Sequence, residues 1–412
     1  MKVYIFGLGE RKKYLDRCLR KAVTVSGYID NYKANNMSSL AGKPVMKQGG
    51  LCGSYDYIII TLLDYESVKD SLVQEGIPSE KIISFFDFAD ASNEKYWNVI
   101  NPYKWRTELI WKHYTEITIP TIDNLNYELY ANSTDMKKIC PEIVDAQSTV
   151  RILAHERKCL ARFGDNEFEL MLGRLRTDYQ DVDFRLAGRL REVLASDEDN
   201  LLVAIADNYG SLEKYTDRAA RDIRMYMTKE VRESHMRLLD LNRTYYDAYL
   251  SRPYMIYRDK TSSKEKFDQV KALWKDEEVL IVEGEYTRFG VGNDLLDNAR
   301  RVERIIAPAK NAFDQYQKIK DKVCMHGKNK LILAILGPTA TVLSYDLARE
   351  GYWILDIGQI DIEYGWFLLG VKERCALKYK RVSEIVSYEM AETDREDENI
   401  KTYMSQVMDY VL

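Results

Sequence analysis

The chain reads as an α/β protein built of two parallel-sheet domains, and three observations predict it. Short apolar, β-branched runs recur along the sequence and are bounded by glycine or by polar residues. Between them lie amphipathic or charged stretches of helical character, the alternation that builds a parallel sheet. The alternation occurs twice, before about residue 90 and again from about residue 141, with a stretch of different composition between.

Residues 2–8 (KVYIFGL) supply the first strand, residues 11–21 a helix, and residues 23–29 a second strand that ends at Asp30 and Asn31. Residues 57–62 (YIIITL) read as a buried strand, 67–75 as an amphipathic helix and 81–88 as a last short strand, which makes residues 1–90 a small first domain. Residues 91–140 are rich in Tyr, Trp and Asn, with a helical stretch at 103–114, and read as a helical connector. A larger domain is expected over 141–380. Its strands fall at 160–163, 201–205, 279–282, 302–306, 331–336 and, last, 352–357, with charged helices between them such as 211–228 and 294–300. Residues 381–412 read as a tail, acidic at first and weakly amphipathic over 403–412.

Composition bounds the function. The 412 residues carry 60 Lys+Arg against 65 Asp+Glu, a net charge of −5, which argues against a general nucleic-acid binder. A hydrophobic fraction of 46% with only 21 Gly and 8 Pro is enough for packed cores and excludes a mostly disordered or collagen-like chain. The six cysteines (18, 52, 140, 159, 324 and 375) form no C-x-x-C pair and read as reduced thiols of a cytoplasmic protein. The apolar run at the N-terminus is too short for a leader peptide, and no segment approaches the ~20 apolar residues of a membrane span. The expectation is a cytoplasmic chain with no membrane span of its own and no nucleic-acid partner; a homodimer is left open.

Four segments carry chemistry. The first is Gly7-Leu8-Gly9 after a strand, with Asp30 ending the next one at the distance of a ribose contact. Lys12 stands where a third glycine would be, so the dinucleotide fingerprint is incomplete. This region resembles the small Rossmann-like N-terminal domain that precedes acyltransferase modules in sugar-modifying enzymes, through its strand, G-x-G and Gly27-Tyr28-Ile29-Asp30. The second is Arg162-Phe163-Gly164-Asp165-Asn166-Glu167. Two carboxylates two apart after a strand can hold Mg²⁺ or Mn²⁺ against a diphosphate, with Arg162 as a neighbouring cation. The competing reading makes Asp165 an N-cap and Glu167 a first-turn acid.

The third segment runs from Glu283 and Glu285 through Arg288, Gly290 and Gly292 to Asn293 and Asp294, where a helix is expected to begin and to form a phosphate cradle. Pro308, Asn311 and Ala312 open a further helix at the carboxyl end of a strand, where ligands of open α/β sheets bind. The fourth is Gly337-Pro338-Thr339 at another helix start, followed by Asp356, Asp361 and Glu363, three acids of which one can serve as a general base. No Gly-Lys-Ser/Thr is present, so a P-loop is excluded.

Taken together, the stretches RFGDNE, EGEYTRFGVGNDLLDNA, APAKNAF, GPTATVLSYDLAREGY and DIGQIDIEYGWF resemble the GT-D fold glycosyltransferases of bacterial glycan operons, over about residues 160–367. The resemblance implies a larger domain of that fold and a UDP-hexose donor with an Mn²⁺ or Mg²⁺ ion at the D-x-E pair Asp165 and Glu167. It implies a donor site drawn from Arg162, Phe163, Gly164, Arg288, Gly290, Gly292, Asn293, Asp294, Pro308, Asn311, Gly337 and Thr339. The resemblance implies a His in the last loop where this chain has Gln359, which makes Asp356 or Asp361 the better base candidate; Glu285 is a further catalytic candidate. The acceptor is expected to be a glycan or glycosylated protein, lying against Tyr and Trp of the connector. Two other readings remain: a non-catalytic nucleotide-sugar-binding module, and an NAD-dependent oxidoreductase or epimerase resting on Gly7, Gly9 and Asp30. A dinuclear phosphohydrolase is disfavoured, because the four His (113, 155, 235 and 326) form no H-x-H or H-x-x-x-H pair.

Overall fold

A computed structural model describes residues 1–9, 11–31, 33–35, 37–51, 53–62, 65–85, 94–129, 140–174, 179–381 and 396–411. The chain divides into two compact units, Met1–Ile119 and Pro120–Leu412.

The first unit holds a six-stranded sheet of β1 (Lys2–Phe6), β2 (Thr24–Ile29), β3 (Ser39–Leu40), β4 (Lys43–Met46), β5 (Tyr57–Ile60) and β6 (Ile82–Ser84). The order is β3-β4-β2-β1-β5-β6, parallel except for the β3–β4 pair. The long apolar runs became strands as expected. β3 and β4 escaped notice because they are two and four residues long and one contains Pro44, which weakens any strand signal.

Helices Glu94–Val99 and Pro102–His113 follow, the second capped by the Asn101 side chain on the backbone N–H groups of Tyr103 and Lys104. Tyr96, Val99, Ile100 and Trp105 pack with Val3, Ile5, Leu15 and Ile59. The first half of the expected connector is therefore part of the first unit's core. Asp30 accepts hydrogen bonds from the backbone N–H groups of Leu8 (3.0 Å) and Lys33 (2.9 Å), so its carboxylate braces its own loop. Gly7 has φ +94°, and a Cβ there would stand 2.8 Å from the Thr61 hydroxyl oxygen. Backbone packing alone accounts for this glycine.

The second unit is a nine-stranded sheet of β7 (Glu142–Val144), β8 (Cys159–Phe163), β9 (Leu201–Ile205), β10 (Thr244–Asp247), β11 (Glu278–Gly284), β12 (Arg301–Ala307), β13 (Leu331–Ile335), β14 (Trp353–Asp356) and β15 (Val407–Tyr410). The order is β15-β12-β11-β13-β14-β8-β9-β10-β7, and every recorded pairing is parallel. Successive residues of one strand serve opposite cores: Ala161 and Phe163 lie in one cluster with Val203 and Ile205, Leu160 in the other with Leu202 and Ala204. Both faces are covered, which is why these strands read as unbroken apolar runs.

Three expectations are corrected here. β14 is not the last strand: β15 pairs with β12, so residues set apart as a tail belong to the sheet. Residues 382–395 of that segment lie outside the described residues. No helix forms over 294–300, which folds as turns. The helix expected at 211–228 starts only at Asp217, where the Thr216 hydroxyl caps it. Five of the six cysteines are free, and Cys52 lies outside the described residues. Among the described residues no helix is long and apolar enough to cross a membrane.

Candidate active site

A cavity of about 690 Å³ lies over the carboxyl ends of the second unit's strands. Its lining comes from the segments that follow β12, β11, β13, β14, β8, β9 and β10, in the order of the sheet. At about 4.8 Å between neighbouring strands the floor is roughly 29 Å across, wide enough for two ligands side by side.

At the centre, β8 delivers Arg162 and the segment Gly164–Glu167. The Glu167 carboxylate turns back to accept from the Gly164 backbone N–H at 2.7 Å, closing the first turn of the helix Asp165–Met171. Burial pushes the Glu167 pKa up to about 7, and that hydrogen bond offsets part of the shift. Asp165 is exposed at the helix start and lines the cavity. The N-cap is Gly164 and not Asp165, Glu167 is a first-turn acid that closes the turn, and both acids line the cavity. Among the described residues no three His, Cys, Asp or Glu side chains gather to hold a metal. Two carboxylates with the remaining positions left to phosphate oxygens and water is nevertheless a donor set that suits Mg²⁺ or Mn²⁺, so the residues fit a cation that a diphosphate completes.

Arg162 lines the cavity with its guanidinium held by the protein. Its guanidinium donates to the Asp356 carboxylate (Nη2–Oδ1 2.7 Å), to the Asp356 carbonyl (Nε–O 2.7 Å) and to the Ser251 hydroxyl (2.7 Å). The fit depends on Gly358, with φ +50°, because a Cβ there would overlap the guanidinium. Asp356 therefore lines the cavity as half of an ion pair, its pKa raised by burial and pulled back by Arg162.

Asp361 is likewise occupied. Lys380 contacts both its oxygens at 2.6 Å, the pair only 3%/3% exposed, and the Asn293 side chain donates to it at 2.8 Å. Glu363 accepts from the backbone N–H groups of Tyr254 and Met255. The three acids are buried and clamp the chain around the site. Glu285 is exposed and, unlike its neighbours Gly284 and Tyr286, is not among the residues that line the cavity.

The glycine loop is also rearranged. Arg288 (φ +47°) is buried and donates to the Tyr379 carbonyl at 3.1 Å. A Cβ at Gly290 would overlap Leu296, and one at Gly292 would stand 2.8 Å from the Tyr379 ring. Asp294 pairs with Lys271 and accepts from the Tyr364 hydroxyl, both at 2.7 Å. These residues brace the loop; with no helix after them, they form no helix-end phosphate cradle. Phe163 and Thr339 are fully buried in packing. Pro308 and Gly337 do line the cavity. Asn311 acts from behind: it holds Asp181 through two 2.8 Å hydrogen bonds and donates its backbone N–H to the Tyr179 carbonyl, which sets Tyr179 against the cavity.

Other lining residues gave no sequence signal. Tyr179, Tyr226 and Tyr249 are three of thirty tyrosines, and Arg252, which donates to Gln359 at 3.3 Å, stands in no motif. Of the connector's described residues in the second unit, 120–129 and 140, none lines the cavity. One wall is a single helix face: Ala219, Asp222, Ile223 and Tyr226 of Asp217–Tyr226 stand three, four and seven residues apart. Behind it, His235 stacks on Phe168 (centroids 3.9 Å apart) and contacts the hydroxyls of Tyr209 (2.8 Å) and Tyr226 (3.1 Å).

Burial, reinforced by Arg232, pushes the His235 pKa from its ordinary value near 6.5 down to about 3. The unfolded chain protonates this ring first as pH falls. Stability from it is therefore full above about pH 6.5 and is lost on the way to pH 3, at up to about 1.4 kcal/mol per pH unit. Urea melts of wild type and His235→Gln should show the acid loss between pH 6.5 and 4 flattened in the variant.

A family model described as glycosyltransferase GT-D fold matches residues 160–385, from β8 to beyond the last described cavity segment. The chain belongs to the GT-D fold glycosyltransferase family. A second model, C2185-like N-terminal, matches residues 1–83. Among curated relatives, a probable glycosyl transferase Gly of Streptococcus gordonii is 39% identical over 245 residues, 59% of this chain and 35% of that one. Glycosyltransferase GlyD of Streptococcus pneumoniae serotype 4 is 32% identical over 272 residues, 66% of this chain and 33% of that one. The chain spans about a third of the length of these two relatives. Among solved structures, a glycosyltransferase (DUF1792) from Streptococcus sanguinis is 36% identical with a TM-score of 0.60, covering 66% of this chain and 100% of that one. A structure described as a domain of unknown function 1792 with a distinct glycosyltransferase fold is 32% identical with a TM-score of 0.58, covering 67% and 98%.

Proposed function

We propose that the chain transfers a hexosyl unit from a UDP-sugar to a hydroxyl of a glycan or glycosylated protein, with Mn²⁺ or Mg²⁺ at Asp165 and Glu167. The observation that carries this reading is the coincidence of the GT-D match with one cavity whose centre is the D-x-E pair. The ion would neutralise charge on the departing diphosphate, where transition-state charge develops. Arg162 and Asp356 hold the floor beneath it in one geometry. The nucleoside is assigned to the β12–β11–β13 half, whose lining at Gly284, Pro308, Ala309 and Gly337 is small and admits a flat base. The acceptor is assigned to the β9–β10 half, with the Tyr226 ring against a sugar face and Asp222 hydrogen-bonded to its hydroxyls.

Turnover of a nucleotide-sugar panel, read as nucleoside diphosphate release with and without acceptor glycosides, tests the reading. One donor should be hydrolysed slowly in water and faster with acceptor; a folded chain that neither binds nor turns over any donor would refute it. Asp222→Asn should raise the acceptor KM about tenfold, one lost charge-assisted hydrogen bond, and leave donor hydrolysis in water unchanged. Binding of UDP without turnover would favour the non-catalytic module instead. The oxidoreductase reading has less support, since the Asp30 carboxylate braces its own loop.

A further inference from the structure

From the helix Pro102–His113 and the following turn Tyr114–Thr118 of the first unit, we infer that this face docks on an anionic lipid surface. Tyr103, Thr107, Ile110, Tyr114 and Ile117 recur at steps of four, three, four and three residues, which puts them on one stripe. Tyr103 is 79% exposed, Ile110 70%, and the adjoining Trp111 58%. The opposite stripe is spent inside the unit, where Trp105 is buried and Leu109 packs against the core. A helix apolar on both faces is one that is covered on both, and here the unit covers only one.

The charges say what covers the other. Lys104 lies to one side of the exposed stripe and Arg106 to the other, both exposed. The acids of this segment are turned inward: Glu108 pairs with Arg17 at 3.2 Å, and Glu116 accepts from the Tyr14 hydroxyl at 3.2 Å and pairs with Lys112 at 3.9 Å. An apolar centre carrying Trp and Tyr, with basic flanks and no acid between them, matches the headgroup boundary of an anionic bilayer. A second copy of the chain would bring like charges together along the same flanks.

Flotation of the full chain on vesicles of phosphatidylcholine, with and without 30% phosphatidylglycerol, tests the proposal. The chain should float with the anionic vesicles, less so as salt is raised. Ile110→Glu, a change at an exposed side chain, should cut flotation about tenfold or more, while Lys104→Gln with Arg106→Gln should remove only the preference for anionic lipid. Circular dichroism and gel filtration would verify that the variants fold as wild type. Wild type staying with the soluble fraction on both vesicles overturns the proposal. So does flotation indifferent to Ile110→Glu, and so does a dimer that Ile110→Glu dissolves while neither form floats.

Discussion

Arg304→Ala is expected to destabilise the second unit by about 3–5 kcal/mol, the usual cost of stripping one partner from a buried ion pair. Arg304 and Glu283 meet at 2.6 Å with side-chain exposures of 2% and 0%. Arg304 also donates to the Phe289 carbonyl and the Gln406 side chain, both at 2.8 Å, and its guanidinium lies over the Tyr403 ring. The second oxygen of Glu283 accepts from the Phe289 backbone N–H at 2.7 Å. One side chain thus ties β11, β12, the loop after β11 and the helix Glu398–Gln406. Without it, a carboxylate whose pKa burial already raises loses the guanidinium paired with it. Thermal unfolding should fall by about 10 °C, at roughly 2–4 °C per kcal/mol for a unit of this size. Replacing both partners, Glu283→Leu with Arg304→Met, should recover most of the loss, since the penalty is the unpaired charge. Equal damage in the single and double variants would contradict this account.

Gly358→Ala should lower donor turnover by about a hundredfold, the scale of effect when a reacting group is displaced by an ångström. Residue 358 is in the left-handed region, and the added carbon meets the Arg162 guanidinium. Arg162 must then leave Asp356 and Ser251, and the floor beside Asp165 loses its shape. The effect acts through Arg162, so combining Gly358→Ala with Arg162→Ala should cost little more than Arg162→Ala alone. Additive losses in kcat/KM would refute that coupling.

How much of this was legible follows from what sets each feature. Strands such as β9 and β11, buried on both faces, left apolar runs that periodicity reads directly. β7, β10 and β15 did not, because they are three or four residues long and only partly buried. Asp165, Glu167, Pro308 and Gly337 were found because a motif sits at a strand end and strand ends face the cavity. The partners of the acids were not legible. Asp361 meets Lys380 across nineteen residues and Arg162 meets Asp356 across 194, and side-chain pairing over such separations leaves no local trace. Hence the ligand contacts expected of Arg162, Arg288 and Asn293 gave no hint of the hydrogen bonds that tie these side chains to Asp356, Tyr379 and Asp361. Asp222 and Tyr226 gave no signal because their helix was located only approximately, and a lining face is defined by its neighbours.

The most direct measurement is nucleoside diphosphate release from the preferred donor as Mn²⁺ is titrated, on wild type and on Asp165→Ala. Turnover should be abolished by EDTA and restored by Mn²⁺, and should fall about a hundredfold or more in Asp165→Ala with its fold intact by circular dichroism. Turnover in Asp165→Ala equal to wild type at every Mn²⁺ concentration would contradict the claim that the D-x-E pair is the centre of the site.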